Sequence, residues 1–137
     1  MTPLPLDDVL DRILRRGVTD LGGYLLLHYV ADRLAGPPDP APDMTGAEAY
    51  LNHVHPVPPG GGDVEECAGM AITALHLLRQ QILGCEEAGQ VRVVLSVGYH
   101  DIPSSSLRFY RRRPGEQWIV DDLESYETEA ILVEDIG

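Results

Sequence analysis

Val64, Ala68, Ala71, Leu75, Leu78 and Ile82 recur at spacings of four and three residues, a seam of apolar side chains at helical period. Asp63 stands before the seam as an N-cap, Glu66 follows three residues later, and Gly84 comes after Leu83. The spacing therefore predicts a helix over 63–83 that opens with a capping box. Met70 and Leu77 add a second apolar flank, so this helix is expected to pack on both other helices and a sheet. Past residue 90 the apolar period falls to two. Val91, Val93, Leu95 and Val97 alternate with Arg92, Val94 and Ser96, the pattern of a strand with one buried face. Residues 107–112 read as a second strand, Arg113-Pro114-Gly115-Glu116 as a turn, and 117–120 as a third strand. A fourth strand is expected over 130–136, after a crossing loop at 125–129.

The first half reads as helical. Over 7–16, Val9, Leu10, Ile13 and Leu14 share one side, and Gly17 is a natural residue to end the helix. A second helix is expected from Thr19 as N-cap to Ala35, stopped by Gly36-Pro37-Pro38. It is apolar on most faces, which would place it at the centre of the fold or in an oligomer interface. Thr45 and Glu48 suggest a capping box for a short helix ending near Val54. Two Pro/Gly-rich stretches, near 36–43 and 56–62, read as surface connectors. Helices first and consecutive strands afterwards is the α+β pattern. The expectation is one globular domain over 1–137. About four N-terminal helices (1–85) would pack on one face of a C-terminal antiparallel meander of three to four strands (90–137).

Charge narrows the function. The chain carries 22 acids against ten basic residues, a net charge of -12. All ten basic residues are arginine. After Pro114 there are eight acids and no basic residue, whereas Arg108, Arg111, Arg112 and Arg113 lie just before. Such a layout disfavours nucleic acid and anionic membrane as partners and favours a basic protein. No apolar run approaches the roughly 18 residues that span a bilayer. The first residues, MTPLPLDD, are acidic where a signal peptide is basic, so a cytoplasmic location is expected. Cys67 and Cys85 lie on the order of 25 Å apart along the predicted helix, too far to form a disulfide.

Several side-chain groupings invite a chemical reading. His53 and His55, with Cys67 and His76, contain metal-ligand types, but no Cys-x-x-Cys or His-x-x-x-His spacing accompanies them, and no metal site is assigned. His100 and Asp101 precede Ser104, Ser105 and Ser106, yet no nucleophile elbow is present and the segment reads as a loop, so no catalytic residue is assigned. His28 and His76 fall on apolar segments as boundary residues. Arg108, Tyr110 and Arg112 should occupy one strand face, with Leu107, Phe109 and Arg111 on the other. The arginines are expected to be neutralised by cross-strand acids. Asp121, Asp122 and Glu124 lack a calcium-loop glycine and form, with Glu127 and Glu129, an acidic ridge after the third strand.

The segment SLRFYRRRPGEQWIVDDLES (106–125) resembles the terminal hairpin of NTF2-like domains, in which a charged strand, a glycine-containing turn and a Trp-led strand recur. That resemblance implies a pocket between sheet and helices, with His76, Tyr99 or His100 as its polar groups. In profile the chain also resembles the small acidic bacterial immunity proteins that neutralise basic toxins. The leading expectation is a non-enzymatic inhibitor or immunity-type protein, without cofactor, that binds a basic protein. The expected contacts are Trp118, Asp121, Asp122, Glu124, Tyr126 and Glu127, with Trp118 or Tyr126 as the aromatic anchor. The alternatives are an NTF2-like small-molecule binder or enzyme, and a subunit of a homo-oligomer such as a homodimer.

Overall fold

The computed structural model of the chain describes residues 4–39, 43–98, 103–116 and 129–137. Helix α1 (Asp8–Arg15) begins where Asp7 accepts a hydrogen bond from the Leu10 amide at 2.9 Å, and ends at Gly17 with φ +82°. Leu10 and Leu14 face inward, whereas Val9, expected on the same side, is exposed.

The expected second helix is replaced by a β-hairpin. Strand β1 (Val18–Leu21) pairs antiparallel with β2 (Tyr24–Leu27), and Leu21 opposes Tyr24 across a two-residue turn. Gly22 and Gly23, at φ +60° and +91°, supply the two left-handed conformations that such a turn needs. All four residues of β2 are buried. A strand covered on both faces shows no alternation in sequence and mimics an all-round apolar helix. Only a single turn, α2 (His28–Ala31), is helical in this stretch.

Helix α3 (Met44–Leu51) is capped by Asp43, which accepts from the Gly46 amide at 2.6 Å. Thr45, the expected N-cap, and Glu48 are instead buried inside the helix. The chain then forms β3 (His53–Val54) and the long helix α4 (Val64–Leu83). In α4 the capping box is present: Asp63 accepts from the Glu66 amide at 2.7 Å, and the Asp63 amide donates to Glu66 at 3.2 Å. Ala68, Ala71, Leu75, Leu78 and Ile82 are buried along the seam, and Met70 and Leu77 along the flank. This helix packs on α1 and on the sheet, as its two apolar flanks require.

That sheet contains β4 (Val91–Gly98), β5 (Ser104–Arg111) and β6 (Glu129–Ile136) in the order β3-β5-β4-β6, antiparallel throughout. The class is α+β, with four helices and two sheets among the described residues. The arrangement departs from N-terminal helices on a C-terminal meander. A two-stranded hairpin and the short strand β3 lie in the first half, and β6 pairs with β4 rather than continuing outward from β5. The expected third strand at 117–120 lies outside the described residues. As the central strand of the three long ones, β4 is buried on both faces. Val91, Val93 and Leu95 meet α4, while Val94 joins Ala49 and Tyr110 in a smaller cluster on the other face. No described helix is long and apolar enough to cross a membrane.

The hairpin turn is a sharp test of this architecture. A methyl at Gly22 would stand 2.6 Å from the Pro37 ring as well as forcing a left-handed backbone, whereas at Gly23 its nearest neighbour is the Met44 methyl at 3.4 Å. Gly22→Ala should therefore cost about 2 kcal/mol in urea unfolding, and Gly23→Ala about 1 kcal/mol from backbone strain alone.

Candidate functional site

Beyond β3, the edge of β5 is completed by α3. The Phe109 amide donates to the Asn52 carbonyl at 3.3 Å, and the Asn52 side chain bridges to β2, donating to the Leu25 carbonyl at 2.7 Å and accepting from the Leu27 amide at 3.0 Å. One helical turn earlier, Glu48 does the same with a charge. Its carboxylate is fully buried and accepts four hydrogen bonds: from the Leu25 amide (2.7 Å), the Arg111 amide (2.5 Å), and Arg113 Nη1 (3.0 Å) and Nη2 (2.7 Å). The i, i+4 spacing of Glu48 and Asn52 stacks both on one helix face, so α3 joins the open edges of two sheets. Burial works against the charge on Arg113, but the Glu48 carboxylate outweighs it and holds the guanidinium above its ordinary pKa.

Arg111 is equally committed to the fold. Its guanidinium donates to Asp20 (2.6 Å), to the carbonyls of Gly23 (2.8 Å) and Ala88 (2.9 Å), and to that of Glu87. Two of the strand arginines thus pair with acids of the N-terminal half rather than with cross-strand neighbours. Arg92 follows the expected cross-strand pattern: it faces Asp135 in register and grips it in a fork at 2.8 and 3.1 Å. The hydrogen bonds from Arg111 and Arg92 hold the carboxyls of Asp20 and Asp135 below the usual carboxylate range. Around Arg92 lies an open cleft of about 380 Å³ lined by Gln90, Tyr110, Arg112, Arg113, Pro114 and Glu116. Burial raises the Tyr110 hydroxyl above its ordinary pKa, so it remains a protonated donor at neutral pH.

The other groupings read from sequence do not assemble. The His53 and His55 rings lie 5.2 Å apart, each with Nδ1 on a backbone carbonyl, but no cluster of three metal-ligating side chains exists among the described residues. His76 is exposed on α4 and Cys67 is buried. Ser105 is buried and donates to the Pro56 carbonyl at 2.5 Å, a structural use of its hydroxyl. Between α4 and the sheet the space is filled by Ala71, Ala74, Leu75, Leu78, Val93, Leu95, Leu107 and Phe109. A smaller apolar groove of about 190 Å³ opens at the sheet edge beside Ala68, Ile72 and Leu132. Tyr99, His100, Asp101, Trp118, Asp121, Asp122, Glu124, Tyr126 and Glu127 lie outside the described residues.

Two measurements check this electrostatic frame. Glu48→Gln sets an amide donor against the Arg113 donors and leaves that cation buried without a counter-charge, so it should cost about 3 kcal/mol in chemical denaturation. Asp135→Asn, at a pair that is 41% exposed on the acid side, should cost less than about 1 kcal/mol. The pH dependence follows from the depressed carboxyls. Asp20 and Asp135 bind protons less readily folded than unfolded, so their contribution is complete above an unfolded pKa near ~3.9 and is lost as pH falls through their folded values. The melting temperature should therefore hold steady from pH 7 to about 5 and fall below about 4, less steeply in Asp135→Asn.

No curated protein and no solved structure matched the chain. A family profile described as "Uncharacterized protein PM0498 family" matches residues 2–137. With nearly the whole length covered, the chain belongs to the PM0498 family.

Proposed function

We propose that this chain is a binding protein for a basic protein partner, of the inhibitor or immunity type, and that the partner docks on the acidic segment after Glu116. The carrying observation is how unevenly charge is used inside the fold. Among the described residues Arg15, Arg16, Arg79, Arg92, Arg111, Arg112 and Arg113 form ion pairs, two of them on the same acid, Asp135, within a chain of net charge -12. The cations serve to hold the chain together, and the acids remain in excess.

Among the described residues, three of the acids after Pro114 have structural partners. Glu116 accepts from the Thr45 amide at 2.9 Å, Glu134 pairs with Arg79, and Asp135 pairs with Arg92 and Arg112. Asp121, Asp122, Glu124 and Glu127, flanked by Trp118 and Tyr126, are the acids proposed to meet the partner. Acidic charge of this density accelerates encounter with a basic surface, while one aromatic anchor supplies much of the affinity. The exposed Leu132 beside the small apolar groove favours a second reading, a homodimer closed along the β6 edge.

Reversing charge at Asp121→Arg and Asp122→Arg together should weaken capture of the partner from a host lysate by at least about tenfold, without lowering the melting temperature. Raising salt from low to physiological strength or above should weaken the wild-type interaction and leave a hydrophobic dimer unaffected. Unchanged capture by the folded double variant would remove this segment from the interface.

A further inference from the structure

The three consecutive arginines at the end of β5 have different fates. Arg111 and Arg113 turn toward the protein interior, and each is committed to several acceptors: Arg111 to Asp20 and three carbonyls, Arg113 to Glu48, the Thr45 hydroxyl and the Gly23 carbonyl. Arg112 points to the opposite face of the sheet. Its backbone is held by a 2.9 Å hydrogen bond from its amide to the Gln90 carbonyl. Its guanidinium, nearly half exposed, reaches only to 3.7 Å from Asp135, beyond hydrogen-bond length. Asp135 is already gripped in a fork by Arg92. Two guanidinium groups on neighbouring strands therefore share one carboxylate, and the carboxylate belongs geometrically to Arg92. The acid in the cleft lining, Glu116, is turned to the start of α3, where its carboxylate accepts from the Thr45 amide.

We propose that this cleft binds a small anion, a phosphate or carboxylate group held by the guanidinium of Arg112 with Arg92 and Gln90 as flanking donors. The cleft's volume of about 380 Å³ suits a small ligand. A planar fork with unclaimed N–H groups matches the paired oxygens of either anion. The buried Glu48–Arg113 pair on one side and the Arg92–Asp135 fork on the other hold the chain that carries Arg112, so the site is organised before the ligand arrives. A binding site for an anion within a protein of net charge -12 also confers discrimination. Surface acids repel polyanions, and only a compact anion reaches the cleft.

The test titrates inorganic phosphate into the protein at constant ionic strength, with chloride as the exchange ion, and follows the arginine Nε–H and Gln90 amide signals by NMR. Saturable shifts at Arg112 and Gln90, with a dissociation constant on the order of 1 mM, are the expected result. Arg112→Gln should weaken binding at least about tenfold and leave the melting temperature in chloride unchanged. Parallel titrations with adenosine monophosphate and succinate separate a phosphate ligand from a carboxylate one by which binds more tightly. Shifts that stay linear with concentration, or saturable binding that is equal in Arg112→Gln, would overturn the proposal. Should that variant fail to fold, the wild-type titration decides alone: no saturable change at Arg112 with any of the three anions overturns it.

Discussion

A fully buried carboxylate with four hydrogen-bond donors is the constraint around which the described fold is arranged. Glu48 draws the amide of Leu25 from one sheet, the amide of Arg111 from the other, and the fork of Arg113 from the turn after β5. None of these elements could shift without stranding a charge in a site sealed from water. The polar residues of α3 thus act as the mortise between two sheets whose own hydrogen-bonding edges do not meet. Apolar packing under α4 supplies most of the driving force, but it does not dictate how the hairpin sits against β5. The Glu48 and Asn52 contacts do.

What could be read from the residues divides along locality. The helix α4 was legible to its cap, because Asp63, Glu66 and the 4-3 seam are all local signals. Strands β4 and β5 were legible through alternation, although Val94 is buried where the pattern placed it outward. The β1–β2 hairpin was not, because β2 is covered on both faces and its run of Tyr24 to Leu27 carries no period of two. The signal that points to it is the pair Gly22-Gly23, which can supply both left-handed conformations of a two-residue turn. Thr45 and Glu48 have the spacing of a capping box, yet Asp43 takes the cap and both residues turn inward. Nothing in one-dimensional spacing distinguishes a glutamate that caps its own helix from one that binds an arginine 65 residues away.

The exclusive use of arginine acquires a structural meaning at several positions. Arg92 and Arg113 each hold a carboxylate with two nitrogens, and Arg111 distributes its nitrogens among four acceptors. An ammonium group offers one nitrogen on a flexible stem and would leave acceptors unmet at each of these positions. Arg111 and Arg113 in particular are committed to acceptors within the fold, in a chain that keeps a net charge of -12.

The Glu48–Arg113 pair also has a consequence for the order in which the molecule can be built. Synthesis delivers α3 well before the turn that carries Arg113, so a growing chain holds the glutamate while its counter-ion has yet to be made. Until then the carboxylate must stay hydrated, which keeps α3 from docking and leaves the inner edges of β2 and β5 open. The local elements, α1, the Gly22-Gly23 hairpin and α4, can form early. The junction between the two sheets closes only when a distant contact is made, which ties completion of the fold to loop closure rather than to local propensity. A chain interrupted before residue 113 would have secondary structure without its central joint.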